Sequence, residues 1–288
     1  MGRRKIKKYF KEKLKILNCR FLSLKCKIIL FGKDAFYIRK ALMTRNINFK
    51  GKGLELGPLA APIMEKKDAC VYYTDYTKTE DLKNKNKDNK YLDINKIVDL
   101  DFVWNPEKKL IDCVPSNLKF DYALASNVIE HVPNVIGWIK EIFAVLNDGG
   151  VLSLAIPDKR YNFDAYNPLT TCGDVIENWI RDERIPTPRQ IYNCLSNAIV
   201  WLKFGKLVNT KIKLEKRERL YSDQSAFEFA SNAYFNNRYI DVHCTTWTPE
   251  SFRKIFEKLN GLNILKCEIL DIIQNPLKFE FYVYLKKK

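Results

Sequence analysis

Short apolar segments recur between residues 51 and 157, separated by polar or helix-forming stretches. They read "GLELG" (53–57), "CVYYTD" (70–75), "NKIVDLDFV" (95–103), "FDYALAS" (120–126) and "VLSLAIP" (151–157). Each segment is predicted to hold a strand, and apolar residues at helical spacing over 135–146 predict a helix before the segment 151–157. Strands that alternate with helices indicate parallel crossover units, and continuous apolar strands suit a sheet covered on both faces.

The C-terminal part extends this pattern. Thr248 and Pro249 predict a helix start, and Gly261 predicts its end. The segments "NILKCEILDII" and "KFEFYVYLKK" are joined by the short "QNPL", so they predict an antiparallel pair at the sheet edge. Upstream, "NDGG" (147–150) is expected to stop a helix, because glycine readily takes the left-handed position after the last turn. The expected fold is α/β, with a doubly wound, mostly parallel, Rossmann-like sheet.

Residues 158–240 interrupt the alternation and predict an inserted subdomain with helices around 173–182, 189–204 and 223–233. We expect this insert to form the acceptor-binding part of the protein. The predicted domains are a basic N-terminal helical segment, 1–45, a sheet domain formed by 46–157 and 241–288, and the insert, 158–240.

Residues 1–30 contain eleven lysines and arginines and one acid, Glu12, with apolar residues at spacings of three and four. This pattern predicts an amphipathic helix. It either packs on the main domain or contacts a membrane surface or a partner.

The 288-residue chain has a formal net charge of +16. The charge either indicates an anionic partner or reflects a lysine-rich coding bias. No apolar run reaches the ~18 residues of a membrane span, so a cytoplasmic protein is expected, with the inner membrane surface as an alternative site. The eight cysteines include no Cys-x-x-Cys pair, so we expect no structural metal.

The stretch "GKGLELGPLAAP" (51–62) runs from a strand into a glycine turn, as in nucleotide-binding folds. A dinucleotide site needs further glycines, because the backbone must approach a pyrophosphate. Here Pro58 follows Gly57 and has no N–H to offer. A cofactor without a pyrophosphate, such as S-adenosylmethionine, depends less on backbone N–H groups in this loop. Asp75 ends the second strand, where a carboxylate can accept hydrogen bonds from a ribose diol.

Four segments in order, "LELGP", "YYTD", "FDYALASNVIEHVPN" and "LNDGGVLSLAIPD", resemble the motifs of class I S-adenosylmethionine-dependent methyltransferases. The resemblance is strongest over 51–157. "AIPDKRYNFD" and "DVHCTTWTPESF" further resemble a bacterial branch of the family that is associated with surface polysaccharide biosynthesis. The loop departs from the family pattern at Pro58 and Ala60, where glycines are common.

The resemblance implies roles for individual residues. Glu55 corresponds to the acid near the methionyl amine, Gly57 and Pro58 to the cofactor loop, and Asp75 to the acid that binds the ribose. Either Asp99 or Asp101 corresponds to the acid after the third strand that faces the adenine. The end of the fourth strand, Ser126 and Asn127, corresponds to the floor beneath the methionine.

The two histidines of the chain, His131 and His243, follow predicted strands. A histidine is suited to remove the proton of an acceptor hydroxyl, and either one is a candidate general base. Asp241 would lie on the same side of an extended segment as His243 and could orient it. The pair alone has too few ligands for a metal site.

The expected activity is therefore transfer of a methyl group to a sugar hydroxyl, on a small-molecule or glycan acceptor that bears negative charge. A nucleic-acid methyltransferase is an alternative suggested by the charge, although "SNVIEH" lacks the Asn/Asp-Pro-Pro-aromatic pattern that resembles base-amine enzymes. A binding protein that retains the fold without catalysis is a third hypothesis.

Overall fold

A computed structural model describes residues 35–89, 92–200 and 206–288. The predicted amphipathic helix and the membrane contact of residues 1–30 lie outside the described residues. The chain divides into two units after Ala41, and the elements named below belong to the second unit, Leu42–Lys288.

In the described part of the chain, seven strands form one sheet: β1 (Gly53–Leu56), β2 (Val71–Asp75), β3 (Phe102–Val103), β4 (Phe120–Ser126), β5 (Leu146–Pro157), β6 (Cys267–Gln274) and β7 (Glu280–Lys287). Their order is β3-β2-β1-β4-β5-β7-β6. The first five strands are parallel, and β7 pairs antiparallel with both β5 and β6. The doubly wound sheet and its antiparallel edge pair are confirmed. The strand order reverses between β1 and β4, which is where such sheets bind ligands.

Among the described residues that follow β1, seven helices accompany the sheet: α1 (Thr79–Lys85), α2 (Leu110–Cys113), α3 (Val135–Val145), α4 (Cys172–Ile180), α5 (Pro188–Asn197), α6 (Asp223–Phe235) and α7 (Pro249–Gly261). The start of α7 follows the predicted chemistry. The Thr248 side chain accepts a hydrogen bond from the N–H of Ser251, the Ser251 hydroxyl accepts one from the N–H of Thr248, and Pro249 occupies the first turn.

Both faces of the sheet are buried, which explains the continuous apolar strands. On β4, Ala123 and Ala125 face a core shared with α3 and α7, whereas Tyr122 and Leu124 face the core on the other side. Residues of β7 alternate in the same way between the two cores. Successive side chains of a strand point to opposite faces, so only apolar residues suit such a strand.

The predicted third strand is present but occupies only the end of its segment. The sequence predicts a strand within 95–103, and a 3-10 turn occupies Ile94–Lys96 at the start of this segment, capped by the Asp93 side chain. The N–H of Val98 then donates to the carbonyl of Leu59 in the loop after β1, rather than to a strand. Only Phe102 and Val103 pair with β2.

The predicted glycine stop after α3 is also wrong. The helix ends at Val145, and Leu146 is already extended and pairs with Phe120 in the sheet. Gly149 does take a positive φ of 76°, but within a bulge of β5, where the register shifts between Phe120 and Tyr122. Glycine is therefore needed for the bulge rather than for the helix end.

Between β5 and α7, the helices α5 and α6 pack around a core of their own: Ile191, Cys194, Leu195, Ala226, Ala230, Ala233 and Val242. The helix predicted over 189–204 stops earlier, at Asn197. Ala198 is extended, and Ile199 forms an isolated bridge with Arg219.

Candidate active site

A cavity of about 390 Å³ opens at the carboxyl edge of the parallel strands. Its lining includes the residues at which these strands end or just after: Gly57 after β1, Asp75 at the end of β2, Trp104 after β3 and Asn127 after β4. This position is the switch point of the sheet, where open α/β sheets bind their ligands, so the topology predicts a ligand site here.

Asp75 is a partly buried acid in the wall of this cavity. Its Oδ1 accepts a 2.7 Å hydrogen bond from the N–H of Tyr76. Burial raises the pKa of Asp75 to about 6, although the Tyr76 N–H and the ammonium of Lys85 oppose the shift. A carboxylate with spare acceptor capacity in a partly apolar wall is suited to two hydroxyl donors, as a ribose diol offers.

At Gly57 the backbone itself lines the cavity. Its φ is 64°, and a Cβ at this position would lie 2.9 Å from Cγ2 of Val128. Both observations require glycine. Pro58 is not part of the cavity lining, whereas Leu59, with a φ of 44°, is. The proline is buried in the turn, and its two neighbours line the cavity.

Glu55 lies behind the loop instead of in the cavity. Its side chain is buried, and its two oxygens accept hydrogen bonds from the N–H groups of Ile63 and Met64, at 2.6 and 3.0 Å. These bonds anchor the far end of the loop that starts at Gly57. The structure thus gives Glu55 a contact with the loop, and it is not among the residues that line the cavity.

The placement of Asp99 and Asp101 after the third strand is wrong. Both acids precede β3, since the strand is only Phe102–Val103. Asp101 accepts a hydrogen bond from the N–H of Tyr73 and pairs with Lys66, and neither acid lines the cavity. The residues that do follow β3 are Trp104 and Asn105, both in the cavity wall.

Aromatic pairs flank the cavity on two sides. Trp104 stacks on Trp138 with ring centroids 6.3 Å apart, and Tyr76 stacks on Tyr239 at 5.9 Å. All four side chains line the cavity. Such walls are suited to a planar base or to the apolar face of a sugar ring.

Ser126 and Asn127 differ in their exposure to this space. Asn127 lines the cavity and has a φ of 54°, a conformation that asparagine tolerates better than most residues. Ser126 lies just before it at the end of β4, and its buried Oγ has no hydrogen-bond partner among the described residues.

The two histidines meet at the edge of the cavity, with ring centroids 4.7 Å apart and planes at 84°. Nδ1 of His131 lies 2.8 Å from Oδ1 of Asp241. Nδ1 of His243 lies 2.5 Å from Oδ2 of Asp164. The predicted pairing of Asp241 with His243 is therefore wrong, because Asp241 orients the other histidine.

The charged groups of this cluster and their burial shift one another's pKa values. The hydrogen bond with His131 lowers the pKa of Asp241 well below its usual range, despite partial burial. Burial opposes the charged form of His243, yet Asp164 and Glu130 raise the pKa of its imidazole above the ordinary value. Burial raises the pKa of Glu130, whose side chain is 2 % exposed.

The two looser sequence motifs, 155–164 and 241–252, contact each other at this cluster. Asp158 forms a parallel bridge with Trp247, and the N–H of Lys159 donates to the carbonyl of Trp247. Asp164 of the first motif then reaches His243 of the second. Tertiary contacts therefore unite segments that are far apart in the sequence.

Several residues of the site were not identified from the sequence. They are Trp104, Asn105, Tyr76, Lys85, Tyr239 and Asp164. Asp164 and Tyr239 do stand near the ends of recognisable motifs, but spacing alone does not reveal which acid reaches which histidine. Trp104 directly follows the predicted third strand, but no motif in the sequence indicates that it belongs to the site.

The fold and the cavity define an α/β protein that binds an adenosine-type cofactor at a sheet switch point. The left-handed glycine, the ribose-suited carboxylate and the aromatic walls fit S-adenosylmethionine. A protein-family model described as a methyltransferase domain matches residues 47–266, well over half of the chain. The chain belongs to this methyltransferase family, and S-adenosylmethionine is its cofactor.

Solved structures with similar folds include a SAM-dependent methyltransferase from Thermotoga maritima, at 13% identity and a TM-score of 0.44, covering 93% of this chain and 97% of that one. Another is a magnesium protoporphyrin IX methyltransferase from Synechocystis with bound SAH, at 11% identity and a TM-score of 0.41, covering 98% and 95%. A protein from Pyrococcus horikoshii matches at 14% identity and a TM-score of 0.43, covering 89% and 91%. A search of the curated proteins found no match.

Proposed function

We propose that the protein transfers a methyl group to a hydroxyl oxygen of a small, sugar-like acceptor. The observation that carries the proposal is that Asp75 and His131 line the same cavity. One is suited to bind a ribose, and the other is a base candidate held by a carboxylate. A cofactor site and an acceptor site thus share one space.

The bound cofactor supplies a methyl group activated on a sulfonium. The acceptor oxygen forms the new C–O bond, the S–C bond breaks, and its electron pair stays on sulfur. The proton of the acceptor hydroxyl passes to the histidine cluster. The simplest recipient is His131, because Asp241 holds Nδ1 and the other ring nitrogen remains available for the proton.

The insert supports an acceptor-binding role for residues 158–240. It contributes Glu183, Arg184 and Tyr239 to the cavity lining. The guanidinium of Arg184 pairs with Glu141 at 2.7 Å, so it lines the cavity as part of an ion pair. The formal charge of +16 favours an acceptor that carries negative charge, such as a nucleotide-linked sugar.

The glycan class rests on the resemblance of the segments 155–164 and 241–252 to enzymes of surface polysaccharide biosynthesis. Their contact beside His243 supports a shared role of both segments at the acceptor end. Such an acceptor is made in the cytoplasm or at the inner membrane surface, and we place the protein there. Among the described residues, no helix is long and apolar enough to cross a membrane.

The test is to incubate the full chain with S-adenosylmethionine labelled in the methyl group and with nucleotide-sugar pools. We expect a product one methyl group heavier than a sugar nucleotide, with the label on oxygen. Label in RNA or DNA instead would favour the nucleic-acid alternative. Cofactor binding without label transfer to any of these acceptor pools would favour a binding protein.

A further inference from the structure

Glu130, His131 and His243 form a compact group of potential metal ligands. One ligand atom from each of the three residues lies within 4.8 Å of the others. The group joins two parts of the chain, since the carbonyl of Glu130 accepts hydrogen bonds from the N–H groups of Cys244 and Thr245. The backbone therefore fixes the distance between the first two ligands and the third.

Each imidazole is oriented by a carboxylate on its outer side. Asp241 holds Nδ1 of His131, and Asp164 holds Nδ1 of His243. A carboxylate that accepts the Nδ1–H leaves the lone pair on Nε2. Metal-binding histidines have this arrangement, in which a carboxylate fixes the tautomer and makes the ligand nitrogen more basic.

The environment of Glu130 independently indicates a bound cation. Its side chain is 2 % exposed, and neither carboxylate oxygen has a hydrogen-bond partner in the described part of the chain. A buried carboxylate without a donor is costly, and proteins usually satisfy such a group with hydrogen bonds or a cation. No lysine or arginine is paired with it among the described residues.

We propose that Glu130, His131 and His243 bind a divalent transition-metal ion through one carboxylate oxygen and two imidazole Nε2 atoms. Two histidines and one carboxylate suit zinc, manganese or ferrous iron and leave coordination positions open. His131 lines the cavity, so an open position can face an acceptor there. The sequence does not indicate this site, because only the tertiary structure brings His243 beside Glu130 and His131.

This inference rests on the proposed function and deepens it. A hydroxyl beside a divalent cation loses its proton more readily, and water can then accept the proton. In that case His131 serves as a ligand instead of a general base. The methyl group still moves from sulfur to oxygen, with no change of oxidation state in the metal.

The experiment is calorimetric titration of the full chain, after chelation and dialysis, with Mn²⁺. Manganese prefers oxygen and imidazole ligands, so the free cysteines interfere little. We expect one ion per chain. Glu130→Gln should weaken binding at least tenfold, and His243→Ala should abolish it. Asp164→Asn should weaken it about 10- to 100-fold, as removal of an outer carboxylate does.

The matched control is Glu257→Gln, which makes the same change on the exposed surface of α7. It should bind Mn²⁺ as the unchanged chain does. Circular dichroism and binding of S-adenosylmethionine establish that each variant is folded. Equal Mn²⁺ affinity of the Glu130→Gln and Glu257→Gln variants would overturn the metal site, as would no binding by the folded, unchanged chain.

A methyl-transfer assay with and without chelator separates this inference from the proposed function. Loss of activity on chelation, restored by Mn²⁺ or Zn²⁺, supports both. Full activity in the chelated protein overturns the metal site and leaves the proposed function standing with His131 as base. Stoichiometric Mn²⁺ binding without methyl transfer to any hydroxyl acceptor supports the site and counts against the proposed function.

Discussion

The two ends of the cavity are built in different ways. At the cofactor end, Gly57 and Asp75 are positioned by the strands that carry them, and each lies at the end of a short local unit. At the proposed acceptor end, His131 is held by a residue 110 positions away, and His243 by one 79 positions away. The first end depends on local strand–turn chemistry, whereas the second depends on tertiary ion pairs.

Because of this difference, we expect a substitution at one end to impair the function of that end and to leave the other end largely intact. A change at the proposed acceptor end should leave the sheet and the cofactor loop intact, because Gly57 and Asp75 are carried by β1 and β2, whereas the histidines are held by Asp241 and Asp164. A change at the cofactor end should reduce cofactor affinity but leave the histidine pairs in place. The variants below break one end at a time, from the largest expected effect to the smallest.

His131→Ala should slow methyl transfer by about 10²- to 10⁴-fold, the usual contribution of a proton-transfer group. The affinity for S-adenosylmethionine should stay within a few fold, since Asp75 and Gly57 are untouched. Steady-state rates and calorimetry measure the two effects. Turnover unchanged in both His131→Ala and His243→Ala would remove the histidines from the chemistry.

Asp75→Asn should weaken S-adenosylmethionine binding by at least about tenfold, because a charge-assisted hydrogen bond to a hydroxyl contributes about 1.5–3 kcal/mol. The matched control is Asp99→Asn, which removes an exposed acid that does not line the cavity. We expect the control to bind like the unchanged chain. An equal loss in both variants would contradict the assignment of the ribose site to Asp75.

Cofactor affinity should also depend on pH. The pKa of Asp75 in the free protein is raised to about 6 by burial. Only the ionised carboxylate accepts both ribose hydroxyls, so affinity should be constant above pH 7 and fall as the pH drops through about 6, by up to tenfold per unit. Calorimetry across this range measures the effect, and Asp75→Asn should remove it. A pH dependence that persists in Asp75→Asn would assign it to another group.

Gly57→Ala should destabilise the fold by about 1 kcal/mol or more, because the residue has a positive φ and a Cβ would contact Val128. Gly261→Ala is the matched control, since a Cβ there meets nothing within 4 Å. In a helix this change should stabilise by up to ~1 kcal/mol. Denaturant unfolding measures both, and a Gly57→Ala variant as stable as Gly261→Ala would contradict the strained-turn description.

The same contrast explains what could be predicted from the sequence. The sheet, the edge pair and most strand bounds follow from local patterns, so the predicted fourth strand coincides with Phe120–Ser126. Only the end of "NKIVDLDFV" forms the third strand, although the whole segment has the composition of one, because the Asp93 cap and the contact of Val98 with the loop after β1 hold the earlier residues.

The candidate site was most predictable where a residue lies at or just after the end of its own strand. Gly57, Asp75 and Asn127 are placed in the cavity by the ends of β1, β2 and β4. The partners of the histidines were not predictable, because the path of the chain through 158–240 decides which acid arrives at each ring. Residues 241–243 illustrate this, since Asp241 and His243 contact different residues despite their spacing.

The claim that one cavity holds both the donor and the acceptor chemistry is tested most directly by a crystal structure of the full chain with S-adenosylhomocysteine. The account predicts both ribose hydroxyls within ~2.5–3.0 Å of the Asp75 carboxylate and the sulfur directed toward His131. A ribose bound away from Asp75, or a sulfur directed away from the histidine cluster, would contradict it.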